Sequence, residues 1–223
     1  MMNALLLANR TKAGRLLALK LKAYANRSDV IVLALPRGGV PVAFEIAKAL
    51  NLPLDICLVR KLGVPEHPEL AMGAIAMGGV IVINEDIVQW RKISQQAIAK
   101  VAAREKEELE RRDRLYRGNR PFPQVRDRTV ILVDDGIATG STIRAAITTL
   151  KKEQPQKIII AVPVAPPSTC QQLKAEVDKV ICLLKPEHLY SISLWYENFA
   201  QTTDAEVRKL LEMASPETTG VPN

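Results

Sequence analysis

Short apolar runs in this chain alternate with longer segments whose apolar residues recur every three or four positions. Val30 to Leu35, Leu54 to Val59, Val130 to Val133, Lys157 to Val162 and Lys179 to Leu184 are nearly continuous apolar stretches rich in β-branched residues. That is the pattern of strands buried on both faces. Thr11 to Ala25, Val40 to Leu50, Thr142 to Leu150, Ser168 to Glu176 and Thr203 to Met213 carry the period of amphipathic helices. Ser94 to Tyr116 predicts a long solvated helix, with Glu107–Arg111, Glu108–Arg112 and Glu110–Arg114 spaced to pair along it. Repeated strand–helix alternation predicts an α/β fold with a doubly wound, mostly parallel sheet, whose ligands bind at the carboxyl ends of the strands. Ala74 to Ile83, centred on Gly78-Gly79, predicts a β-hairpin. Leu62 to Leu70, with its Gly and Pro residues, predicts a mobile loop able to act as a lid.

The candidate chemistry lies where predicted strands end. Val130 to Val133 runs into Asp134-Asp135-Gly136-Ile137-Ala138-Thr139-Gly140-Ser141-Thr142 and then a helix. A strand, a loop of small and hydroxylated residues and a helix N-terminus make a phosphate cradle: backbone N–H groups point into the loop and the helix dipole adds partial positive charge. Two carboxylates beside such a cradle would repel phosphate unless they face another part of the ligand. Vicinal sugar hydroxyls or a hard divalent cation such as Mg2+ suit them. A sugar phosphate is the implied ligand. A buried strand ending in a solvated acidic turn accounts for either feature alone, but not for the ordered combination. A second strand–loop–helix unit, Val30 to Leu35 followed by Pro36-Arg37-Gly38-Gly39, offers another anion site. Arg60-Lys61 places cations after the Leu54 to Val59 strand, where they could balance a diphosphate.

Composition narrows the setting. The chain has 223 residues, 48% apolar and 25% charged, as expected of one globular domain with a real core. A net charge of +7 suits an anionic small substrate, and without a dense basic block nucleic acid is not an expected partner. Cys57, Cys170 and Cys182 have no metal-ligand spacing, and reduced buried thiols of a cytoplasmic protein is their reading. Ala4 to Ala8 is too short for a signal peptide or a membrane span. One domain over 1–223 is expected, with a core over about 28–185, a covering segment over about 186–213 and a loose tail over 214–223.

A hydrophobic strand, Asp134-Asp135, three residues and Thr139-Gly140-Ser141-Thr142 together resemble the 5-phosphoribosyl-1-pyrophosphate (PRPP) motif of type I phosphoribosyltransferases. The resemblance implies that Asp134 and Asp135 hold ribose hydroxyls, with magnesium, and that Ala138 to Thr142 hold the 5′-phosphate. It further implies a diphosphate cradle at Arg37, Gly38 and Gly39, containing a non-proline cis peptide bond between Pro36 and Gly38, and a diphosphate-binding lysine at Lys61. The loop after Lys61 would close over the reaction centre, with His67 and Glu69 as candidates for proton transfer or, as readily, solvated loop residues. The aromatic-rich His188 to Phe199 would belong to a hood over the acceptor, in which Trp195 and Tyr196 either stack on the acceptor or pack the segment onto the core.

Ala138 stands where hypoxanthine/guanine-type relatives carry an aspartate, so an acceptor base must be engaged by other groups. Asn9-Arg10 through Arg15 resembles the opening helix of a bacterial group of phosphoribosyltransferase-like proteins whose acceptor is not assigned. Arg10 is read as a surface residue in preference to a ligand contact. The implied activity is transfer of phosphoribose from Mg-PRPP to a nucleobase-like or other nitrogenous acceptor, with a homodimer by analogy. A PRPP-sensing regulator without turnover is the alternative, and a degenerate structural domain a third reading.

Overall fold

Five strands form one parallel sheet in the order β2-β1-β6-β7-β8: β1 (Val30–Ala34), β2 (Leu54–Ile56), β6 (Thr129–Val133), β7 (Lys157–Val164) and β8 (Lys179–Leu184). The computed structural model describes residues 6–118 and 120–214, apart from the side chain of Glu69, and the expected tail beyond Ala214 lies outside these residues. All residues of β1 and β6 are buried, which is why their sequences carry no polar face.

The two faces of the sheet bury different sets. Val30, Val32 and Ala34 of β1 join one core with α1 (Arg10–Lys20), α2 (Gly39–Leu50), α4 (Gln95–Arg117) and α7 (Asp204–Ala214). Ile31 and Leu33, the alternate residues, join the other with α5 (Ser141–Lys152) and α6 (Pro167–Lys174). The doubly wound architecture follows from this period of two. The N-terminal helix is part of the core: Leu17 is fully buried in the first of these clusters.

Register sets up the site. Ala34 pairs with Val133, and Leu35 N–H donates to the Val133 carbonyl at 2.8 Å. The loops after β1 and β6 therefore leave the sheet side by side.

A separate antiparallel sheet contains β3 (Val59–Val64), β4 (His67–Ala76) and β5 (Ile81–Ile83), and the short helix α3 (Glu85–Trp90) follows it. The hairpin around Gly78-Gly79 is present. The segment read as a mobile loop is instead ordered strand: Val64 pairs with His67 across the Pro65-Glu66 turn, and register shifts around Gly63 absorb the irregular residues. Leu62, Val64 and Met72 bury into the first core and hold the hairpin down. β2 also ends earlier than expected, at Ile56, so Lys61 lies within β3 opposite Ala74.

The long helix starts at Ser94, whose hydroxyl accepts from the Ala97 N–H at 3.2 Å. Of its expected ion pairs, Glu108–Arg112 forms at 2.7 Å, while Glu108 also takes Arg111 at 2.8 Å. No helix among the described residues is long and apolar enough to cross a membrane.

Candidate active site

Two loops meet at the carboxyl edge of the sheet. Asp134 and Asp135 follow β6 directly, and the Asp135 N–H donates to Asp134 Oδ1 at 2.8 Å. Burial pushes both carboxyls above the ordinary carboxylate range, Asp134 well above it, and the negative charge of Asp135 adds to the shift on Asp134. The Arg10 guanidinium opposes the shift on Asp135: Nε at 2.8 Å and Nη2 at 2.7 Å both reach Oδ2. One cation offsets two partly buried acids only in part, so the pair retains an affinity for positive charge or for hydroxyl donors.

The loop after β1 presses against them. A Cβ on Gly38 would stand 1.9 Å from Asp135 Oδ2, and one on Gly39 2.7 Å from the Val133 carbonyl oxygen. The Pro36–Arg37 peptide bond is cis, within the expected stretch. Arg37 extends outward, half-exposed, 3.7 Å from Asp204 Oδ1, and Asp204 also accepts from the Tyr116 hydroxyl at 2.6 Å.

Past the acids, Gly140 adopts φ +79°, the left-handed conformation that glycine accepts without strain, and so turns the chain into α5. Ala138, Thr139, Ser141 and Thr142 are exposed around this turn, and the first amides of α5 lack intrahelical acceptors. The cup is braced from behind. Arg144 donates to the Thr139 carbonyl at 2.9 Å while also holding Glu176 and Gln172, and the Thr169 hydroxyl donates to the Ala138 carbonyl at 3.1 Å.

Lys61 lines two clefts beside this cup. One of about 770 Å³ runs from Pro36 and Thr142 to Lys100, Arg104 and Arg112 of α4. The other, of about 570 Å³, lies between the hairpin and Ser141, Arg144 and Thr148 of α5. The arrangement can hold an anion at the α5 N-terminus, hydroxyl groups or a hard cation at the acids, and further negative charge beside Lys61.

Other expected residues fall elsewhere. His67 is exposed at the hairpin turn and lines neither cleft, because pairing of β3 with β4 fixes it there. The Glu69 side chain is outside the described residues. Tyr196 does not offer its ring to a ligand. It is 5% exposed, packs with Leu7, Ala13 and Val164, and donates its hydroxyl to the Asp135 carbonyl at 2.6 Å. Trp195 is partly buried against the same cluster.

Arg10, read from the sequence as a surface residue, is 11% exposed and belongs to the acid pair. One signal was available. Arg10 opens α1, whose first turn holds no acidic residue, and a cation at the positive end of a helix dipole is unfavourable unless an anion lies nearby.

Residues 5–191 match the family model described as "Phosphoribosyl transferase domain", and the chain belongs to that family. Two curated relatives from Mycobacterium tuberculosis, from strains CDC 1551 and H37Rv, bear provisional phosphoribosyl transferase names. Each is 42% identical over 206 residues, covering 92% of this chain and 46% of the relative. The chain thus spans about half the length of the curated relatives it matches. The crystal structure of TT1426 from Thermus thermophilus superposes with a TM-score of 0.85 at 37% identity, covering 94% of this chain and 99% of that one. The AQ2163 protein from Aquifex aeolicus, at TM-score 0.51 and 11% identity, covering 82% and 77% of the two chains, shares the fold alone.

Proposed function

We propose that this protein transfers the 5-phosphoribosyl group from Mg-PRPP to a nitrogenous acceptor and releases diphosphate. The observation that carries the reading is the meeting at one sheet edge of two partly buried acids, a helix N-terminus turned by Gly140, and a glycine loop packed on Asp135.

In this reading the 5′-phosphate takes the α5 amides with the hydroxyls of Thr139, Ser141 and Thr142. Asp134 and Asp135 accept hydrogen bonds from the ribose hydroxyls. Diphosphate lies along Gly38 and Gly39 towards Arg37 and Lys61. The acceptor nitrogen forms its bond to C1 as the C1–oxygen bond breaks, and the departing electron pair stays on diphosphate. Preorganised cations and amides lower the barrier by stabilising that developing charge.

The donor set fits magnesium. Among the described residues no cluster of three or more His, Cys, Asp or Glu side chains is formed. Asp134 and Asp135 would hold the ion, since their carboxylate oxygens are the hard ligands it takes. When bound, it would neutralise part of the diphosphate charge.

The test is diphosphate release from Mg-PRPP, screened across bases and amines. Release dependent on one acceptor supports the reading and names the substrate. PRPP binding without release by any acceptor would replace it with a PRPP-sensing protein.

A further inference from the structure

Arg10 and Asp135 are 125 residues apart in the chain, yet every nitrogen of the guanidinium is committed around this contact. Nε and Nη2 both fall on Asp135 Oδ2, while Nη1 donates to the Ala200 carbonyl at 2.7 Å. The plane is further held by Phe199, whose ring centroid lies 3.8 Å from Cζ. A rotamer-rich side chain is thereby confined by an anion, a carbonyl and an aromatic face at once, the combination that the planar fork of arginine permits and an ammonium does not. The segment that holds Arg10 also holds Asp135 itself, through the Tyr196 hydroxyl donating to its main-chain carbonyl. That segment is anchored to the N-terminal stretch: Leu7 N–H donates to the Trp195 carbonyl at 3.0 Å and Glu197 N–H to the Leu7 carbonyl at 2.9 Å.

We infer that Arg10 is a positioning residue for the ribose-contacting carboxylate: it fixes Asp135 through Oδ2, leaves Oδ1 outside the pair for the sugar, and keys the C-terminal cover to the acid pair. The inference rests on the phosphoribosyl reading above but goes beyond it, because it assigns a ligand-specific effect to a residue of the N-terminal helix outside the phosphate-binding loops. Arg10 acts first on ribose recognition, through the carboxylate it holds. Its removal therefore separates ligands that contain the sugar from one that does not.

The experiment is calorimetric titration of PRPP, ribose 5-phosphate and diphosphate, each with magnesium, into wild type, Arg10→Gln, Arg10→Lys and Phe199→Leu. Arg10→Gln is expected to weaken PRPP and ribose 5-phosphate by roughly tenfold or more, as misplacement of a positioned group does. Diphosphate affinity should fall clearly less, since Arg10 reaches its loop only through Asp135. Arg10→Lys should recover part of the ribose-dependent affinity. Phe199→Leu, which leaves the ion pair but removes the ring beneath it, should show the same split at smaller size and covers the case in which Arg10→Gln does not fold. Equal ribose 5-phosphate affinity in wild type and Arg10→Gln overturns the inference and leaves the phosphoribosyl reading standing. Equal weakening of all three ligands also overturns it, in favour of a structural role. Failure of wild type to bind PRPP removes the reading itself.

Discussion

Gly38 and Asp135 touch where no side chain can be added: a Cβ on Gly38 would lie 1.9 Å from Asp135 Oδ2. The demand is for space, since Gly38 has φ −63° and ψ −29°, a conformation open to any residue. Gly38→Ala must displace either the loop or the carboxylate. The expected result is a loss of about 1–3 kcal/mol of stability, typical of overpacking, together with weakened PRPP binding. Urea unfolding and a PRPP titration measure the two effects. A substitution that changes neither would show that the loops are looser than this contact implies.

The acid pair should cost stability. Asp134 is raised above its ordinary value by burial and by Asp135, so the folded state binds its proton more tightly than the unfolded state. No penalty exists below the unfolded value near pH 4. It accumulates as pH rises above that value, because the folded state must then keep a buried charge or a proton. Asp134→Asn should therefore melt higher than wild type at pH 8, by about 2–4 °C for each kcal/mol recovered. The advantage should vanish towards pH 3. PRPP affinity should fall in the same variant. Identical melting temperatures across the pH range would contradict the burial argument.

Arg117 makes the opposite case. Its side chain is 1% exposed, with Asp55 at 3.1 Å and Asp113 at 3.3 Å, and it donates to the Ile56 carbonyl. Arg117→Met would strand two carboxylates, and a loss of about 3–5 kcal/mol is expected by urea unfolding.

Tyr116 links α4 to α7 through Asp204, next to Arg37. Burial, then the bond to Asp204, pushes its hydroxyl up from 10 to about 12. Its contribution is complete below pH 10 and is lost as pH rises from 10 through 12, where only the unfolded chain ionises readily. Tyr116→Phe should lose stability at pH 8, where the hydroxyl is bonded, and show a flatter decline between pH 10 and 12. Alkaline thermal denaturation of both proteins checks the slope.

The strands were legible because burial on both faces leaves no polar alternation, and the motif at Asp134 to Thr142 was legible because order and spacing restrict what it can be. Lys61 was harder to place. Gly63, Pro65 and Pro68 carry turn chemistry that a hairpin with register shifts also uses, so a local reading gave a loop where packing of Leu62 and Met72 makes strands. Tyr196 could not be assigned in advance, since an aromatic ring suits a ligand and a core equally until its neighbours are known. Arg10 left a trace only in its unfavourable place at a helix start. Its partner lies more than a hundred residues away, beyond the reach of any local pattern.

The most direct measurement is calorimetric titration of PRPP with magnesium into wild type and an Asp134→Asn/Asp135→Asn variant. Magnesium-dependent binding to wild type is expected, abolished by the double substitution while the variant stays folded. Equal binding to both proteins, or none to wild type, would contradict the assignment of the acid pair.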